Sequence, residues 1–175
     1  INIKPRFKAS EIGQSVYYGQ HITFTFDAIS ADITTSNRPN PQIPNSLELT
    51  AKVFELQKTA WRVLFFAGPS VKEDRGLRVH NVIQLFHNDS SCFLAAPCNS
   101  VATLLNGVSP PQSRFGSNKG TIKEAEFQPF MVPLKRVDSH AYAKSFWCVE
   151  HVNPLQGGYL TYQSTVRLRC LISGK

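Results

Sequence analysis

The 175-residue chain is short of cysteine, of charge and of long apolar runs, and each shortage removes a class of protein. Its four cysteines are Cys92, Cys98, Cys148 and Cys170, with no Cys-x-x-Cys pair and no paired histidines beside them. That spacing excludes a zinc-finger type of site, and the cysteines are too sparse for a disulfide scaffold of this length. Free, mostly buried thiols are expected instead. The longest apolar stretch, Trp61 to Gly68, is broken by Arg62, so nothing approaches the roughly 18 apolar residues of a membrane-spanning helix. No basic-then-apolar segment opens the chain, so no signal peptide is visible, and Ile1 in place of a start methionine reads as a processed or excised piece. Charged residues are 18%, too few for a coiled coil. What is present is a 42% hydrophobic content, enough to build the core of one domain or of two small ones.

The local pattern is strand and turn. Ile22, Phe24 and Phe26 alternate with Thr23 and Thr25, a period of two residues. Val82 to Phe86 and Val166 to Cys170 read the same way. Clusters rich in Asn, Pro and Gly separate these runs at 37–44, 68–76, 106–120 and 153–158. One helix is expected, Ser46 to Thr59, with Leu47, Val53, Phe54 and Leu56 sharing part of a face.

The strands belong to a degenerate repeat. Setting Phe24, Leu85 and Leu168 in register aligns Ile22, Ile83 and Val166, and places Ile33 opposite Leu94. Each of the first two units closes on a tryptophan, Trp61-Arg62-Val63-Leu64 and Trp147-Cys148-Val149-Glu150, and the third stops at Lys175 before reaching one. The second unit is longer by an insertion between Asn106 and Phe130, whose part from Ser109 to Gly120 has the composition of an exposed surface loop. Repeated short strands ending in a buried aromatic fit an all-β fold, the β-trefoil, in which lobes donate hairpins to one closed barrel and no sheet edge is left exposed. Trp61, Trp147, Phe24 and Leu85 are the expected core, and Phe65 and Phe86 also read as core positions.

Chemistry-bearing motifs are few. There is no Gly-x-Ser-x-Gly, no His-Glu-x-x-His and no phosphate-binding loop; Gly116 to Thr121 has suitable residues in the wrong order. His87 sits at a strand end, where a core-edge or turn role is expected. Asn88-Asp89-Ser90 matches a glycosylation acceptor but reads better as a polar turn. The chain is therefore expected not to be an enzyme and to need no metal or cofactor. The formal charge of +7 admits nucleic-acid binding, but the basic residues form no single run, so that partner is not expected. Between 114 and 144 the basic residues Arg114, Lys119, Lys123, Lys135, Arg136 and Lys144 outnumber Glu124, Glu126 and Asp138. Lys and Arg form charge-assisted bonds to phosphate.

Two stretches resemble the amino-terminal cytosolic region of inositol trisphosphate receptors and, more loosely, of ryanodine receptors. They are Ile3-Lys4-Pro5-Arg6-Phe7 through Ile12 to Gly19, and Asn81-Val82-Ile83-Gln84-Leu85-Phe86-His87 followed by Phe93-Leu94. Trp61 to Phe65, Phe146 to Glu150 and Val166 to Lys175 fit the same pattern. The resemblance implies MIR-type β-trefoil lobes with a long loop insertion. It implies a regulatory module of a calcium-release channel on the cytosolic face of an internal store, either the endoplasmic reticulum or an acidic store. Inositol trisphosphate in the longer protein, other domains of the same channel and a tetrameric assembly are the implied partners. In the family's register, residues 1–66 correspond to the end of a regulatory trefoil and 76–175 to the start of a ligand-binding trefoil, whereas the length favours one compact unit. The implied phosphate loop falls either at Leu105-Asn106-Gly107, without a basic residue, or at Leu134-Lys135-Arg136; Lys135, Arg136, Lys144, Arg114 and Lys119 are the candidate ligand residues. A sugar-binding trefoil, as in other MIR-containing proteins, is the alternative.

Overall fold

The computed structural model describes residues 1–6, 13–53, 60–66, 75–97, 129–134 and 143–172. The β-rich composition and period-two runs give strands: β1 (Asn2–Pro5), β2 (His21–Phe26), β3 (Ala31–Pro39), β4 (Leu47–Lys52), β5 (Trp61–Phe65), β6 (Val82–His87), β7 (Cys92–Ala95), β8 (Phe130–Pro133), β9 (Trp147–His151) and β10 (Val166–Cys170). They join one antiparallel sheet. Within it β1, β2, β5, β6, β9 and β10 pair in that order. The ring closes where Val166 N–H donates to the Ile1 carbonyl at 2.8 Å and the Ile1 amine donates to the Val166 carbonyl at 3.1 Å. Hairpins β3–β4 and β7–β8 leave this barrel and pair with each other through Leu47↔Met131 and Glu48↔Phe130.

The repeat is visible as a pseudo-threefold axis. Val16 N–H donates to Leu160 O at 2.8 Å, Leu160 N–H to Leu77 O at 2.7 Å, and Leu77 N–H to Val16 O at 2.7 Å, a closed triangle of backbone bonds between the lobes. The three side chains are almost fully buried. Each is followed by the same turn, Tyr17–Gln20, Arg78–Asn81 and Thr161–Ser164. In every copy the first N–H is capped by the fourth side chain, Gln20 Oε1 at 2.8 Å, Asn81 Oδ1 at 2.7 Å and Ser164 Oγ at 3.0 Å. The third position takes positive φ, at 84° for Gly19, 67° for His80 and 74° for Gln163, as a type II turn requires. Gly19→Ala is therefore expected to cost about 1 kcal/mol by conformation alone, since an added Cβ there meets nothing within 4 Å. The urea midpoint reads this.

The tryptophans sit at matching positions. Trp61 pairs with Ile22 and Trp147 with Ile83, and their indole N–H groups donate to Ile33 O and Leu94 O, each at 2.9 Å. Ile33 thus corresponds to Leu94, as the register expects. Ile1, bonded to Val166, holds the third such position. Trp61, Trp147, Phe24 and Leu85 all belong to the one large buried cluster. Strands before and after residues 67–75 share that cluster, and β5 and β6 pair along five residues, Trp61↔His87 to Phe65↔Ile83. Cys92, Cys148 and Cys170 are free and buried.

Two expectations are corrected. The segment from Ser46 starts as strand β4, not a helix, because Thr34, Thr35 and Ile33 of β3 offer it a ladder. Leu47 and Leu49 pack on the core, while Val53 is 73% exposed; residues 54–59 lie outside the described ones. Phe65 is not core: it is 41% exposed at the end of β5, its ring 4.6 Å from that of Tyr18. The insertion, including Ser109 to Gly120, lies outside the described residues.

Candidate functional site

A cleft of about 670 Å³ opens between the first hairpin and the second lobe, lined by Pro39, Asn45, Ser46, Leu47, Ser90, Ser91, Pro133 and Leu134. Local turn chemistry builds both walls. On one side Asn40 Oδ1 accepts from Gln42 N–H at 2.9 Å and Ile43 N–H at 3.2 Å, and Ser46 Oγ donates to Ile43 O at 2.7 Å. Asn45 takes φ 63°, a conformation asparagine tolerates better than most residues. On the other side Ser91 N–H donates to Asn88 O at 3.2 Å, and Leu134 N–H to Ser91 O at 2.8 Å. Leu134 is 51% exposed at the lip. Three serines and an asparagine thus line the cleft together with two prolines and two leucines.

Ser90 brings a hydroxyl to 2.9 Å from His87 Nδ1, a contact that invites a nucleophile–base reading. The same nitrogen accepts the Ser90 backbone N–H at 3.3 Å, so the pair is a turn cap. His87 is buried, with its ring edge-on to Trp61 at 5.1 Å. His87 is thus a core-edge turn residue.

The basic candidates distribute unevenly. Leu134 leads directly into Lys135 and Arg136, which lie outside the described residues, as do Arg114 and Lys119. Lys144 is half-buried, and its carbonyl accepts Ala96 N–H at 3.1 Å. The cleft serines and Asn45 carry no distinguishing mark in the sequence. Their only signal is membership of two turn clusters, 37–44 with its flank and 88–91, which nothing in the sequence joins.

A second cluster gathers possible metal ligands. The ligating atoms of His80, Cys148 and Glu150 lie within 4.8 Å of one another. The cation already there is Arg169, whose Nε donates to Glu150 Oε1 at 2.6 Å. That bond holds the Glu150 carboxyl below its ordinary range, with burial opposing and the charges of Arg169, Arg167 and His80 adding. Desolvation pushes the Cys148 thiol up, so it favours the neutral form over the thiolate a metal would need. Because the folded carboxyl titrates below the unfolded one, its contribution is present above the unfolded pKa and lost as pH falls through the folded value. Glu150→Gln is expected to flatten that acid limb of the melting-temperature profile only slightly, since the pair is solvent-screened.

The pseudo-threefold axis, the closed barrel and the repeated tryptophan site define a β-trefoil. Solved structures share the fold, among them the two that follow. The SDF2-like protein from Arabidopsis thaliana matches with a TM-score of 0.62 and 14% identity, covering 92% of this chain and 76% of that one. The S. cerevisiae protein O-mannosyltransferase Pmt1-Pmt2 complex bound to the sugar donor matches with a TM-score of 0.60 and 16% identity. That match covers 99% of this chain but only 23% of the other. No family model and no curated protein sequence matches the chain.

Proposed function

We propose that this chain is a non-catalytic MIR-type recognition module of a larger protein, and that its cleft takes a hydroxyl-rich ligand of the sugar class. The observation that carries the reading is the cleft itself. Asn45, Ser46, Ser90 and Ser91 supply donors and acceptors, and Leu134 supplies an exposed apolar face. That mixture suits a sugar ring, which has polar edges and apolar faces, and the volume is that of a small-molecule site. A fold neighbour solved with a sugar donor bound lends support from outside the chain. Calorimetric titration with neutral mono- and oligosaccharides tests it. Saturable binding is expected, weakened about tenfold in Asn45→Gly, which keeps the φ 63° conformation while removing the amide. Absence of saturation with every neutral sugar sinks this reading.

A second reading keeps the channel resemblance, a regulatory module gated by inositol trisphosphate on the cytosolic face of a calcium store. What favours it is position. The stretch Val82–His87 is barrel strand β6, Phe93 and Leu94 lie in β7, and Leu134, which lines the cleft, directly precedes Lys135 and Arg136 in the sequence. On this reading the ligand is a phosphorylated polyol. Neutralising Lys135 and Arg136 together is expected to weaken inositol trisphosphate binding by the longer protein, less so at high salt, because exposed charges are screened. Unchanged affinity at low salt leaves only the fold resemblance.

A further inference from the structure

The outer face of the barrel carries a donor cluster that the cleft does not use. Side chains on β2 alternate, so with Ile22 and Phe24 in the main core cluster, His21 and Thr23 lie on the other face, where His21 is half-buried and Thr23 is covered. The register sets Lys4 of β1 opposite Thr23, and Arg62 of β5 opposite His21. The β6–β7 turn closes the group from the second lobe, with Asn88 Nδ2 2.5 Å from His21 Nε2. An amide N–H donating to Nε2 leaves the neutral ring protonated on Nδ1, so His21 still offers a donor. Arg62 is exposed and makes no side-chain hydrogen bond or ion pair among the described residues. Burial first, then the charges of Arg6 and Arg62, lower the pKa of His21; Asp89 on the turn opposes them.

We propose that His21, Arg62 and Asn88, with Lys4 and Arg6 beside them, form a binding site for a small tetrahedral oxyanion, free or borne as a sulfate or phosphate ester. Among the described residues, the groups contributed by β1, β2, β5 and the β6–β7 turn are donors or cations, with Asp89 the one carboxylate acting on His21. A tetrahedral oxyanion has several acceptor oxygens, and it relieves the repulsion that crowds cations around the imidazole. Guanidinium and imidazole on adjacent strands sit at the spacing of a cross-strand pair, about 5 Å between Cβ atoms, which two oxygens of one such group can bridge. The site uses side chains that do not line the cleft, although both draw on the β6–β7 turn, and its ligand is selected by charge rather than by hydroxyl pattern.

The test follows the His21 ring by NMR on the whole chain while sulfate replaces chloride at constant ionic strength. Sulfate keeps its charge across the titration, so any movement belongs to the protein. A saturable shift and an upward move of the His21 titration are expected. Arg62→Gln should weaken sulfate binding about three- to tenfold, and Asp89→Asn should strengthen it by removing the like charge. Arg62 is exposed, so a matching melting curve for Arg62→Gln confirms that the fold is intact. A sugar phosphate, its neutral parent sugar and inorganic phosphate then separate the sources. Binding of the ester but not of the neutral sugar is the expected pattern, whatever the cleft does. An unmoved His21 in sulfate, or an equal response in Arg62→Gln, overturns the proposal.

Discussion

Trp147→Ala is expected to lower the unfolding free energy by about 3–5 kcal/mol, the usual cost of emptying a buried aromatic site. Trp147 is 2% exposed and sits in the cluster that joins all lobes. Removing it opens a cavity between β6, β9 and β10, which are fixed by their own ladders and cannot close on it. The change also leaves the Leu94 carbonyl without its indole donor. Trp147→Phe keeps an aromatic ring but loses the same donor and part of the volume, and a smaller loss is expected, of which about 1–3 kcal/mol belongs to the buried acceptor left unpaired. Urea unfolding followed by circular dichroism measures both. Equal midpoints for wild type and Trp147→Ala would show that this tryptophan does not plug a shared core.

The second large effect belongs to the axis. Leu77→Ala is expected to cost about 2–5 kcal/mol, because Leu77 is 1% exposed and touches the point where the lobes meet. Its backbone bonds to Val16 and Leu160 survive the substitution, so the loss comes from packing. One cooperative transition is expected, with the tryptophan fluorescence and the far-ultraviolet signal falling together, since residues of every lobe line the same cluster. Two separated transitions would mean that the lobes fold as independent units.

Much of the repeat is legible in the sequence, because each strand is marked by its own period of two and each lobe by its tryptophan. Aligning Phe24, Leu85 and Leu168 already fixes the barrel register. Carried eight residues back, the same alignment lands on Val16, Leu77 and Leu160, the residues of the axis. The turn caps Gln20, Asn81 and Ser164 are hidden in it, because three different side chains fill the same role. Each places an acceptor oxygen over the first N–H of its turn. The helix expected from Ser46 fails for a related reason. Leu47 and Leu49 suit either a helix face or a strand, and only the ladder offered by β3 and β8 selects the strand.

The sequence alone determined that the chain is β-rich, repeated, short of helix and built on two buried tryptophans, since these follow from spacing and composition, which are local. Tertiary structure decided what is shared between distant segments. Ile1 takes the third tryptophan's place because the barrel closes β1 onto β10, across nearly the whole length of the chain. The cleft exists because hairpin β3–β4 is set against the turn before β7, and the donor cluster exists because β2 and β5 place His21 opposite Arg62. Neither site has a sequence spacing of its own. Each is a meeting of side chains from separate lobes, and which ones meet is fixed by register, where a slip of one residue would turn His21 into the core and Ile22 out to water.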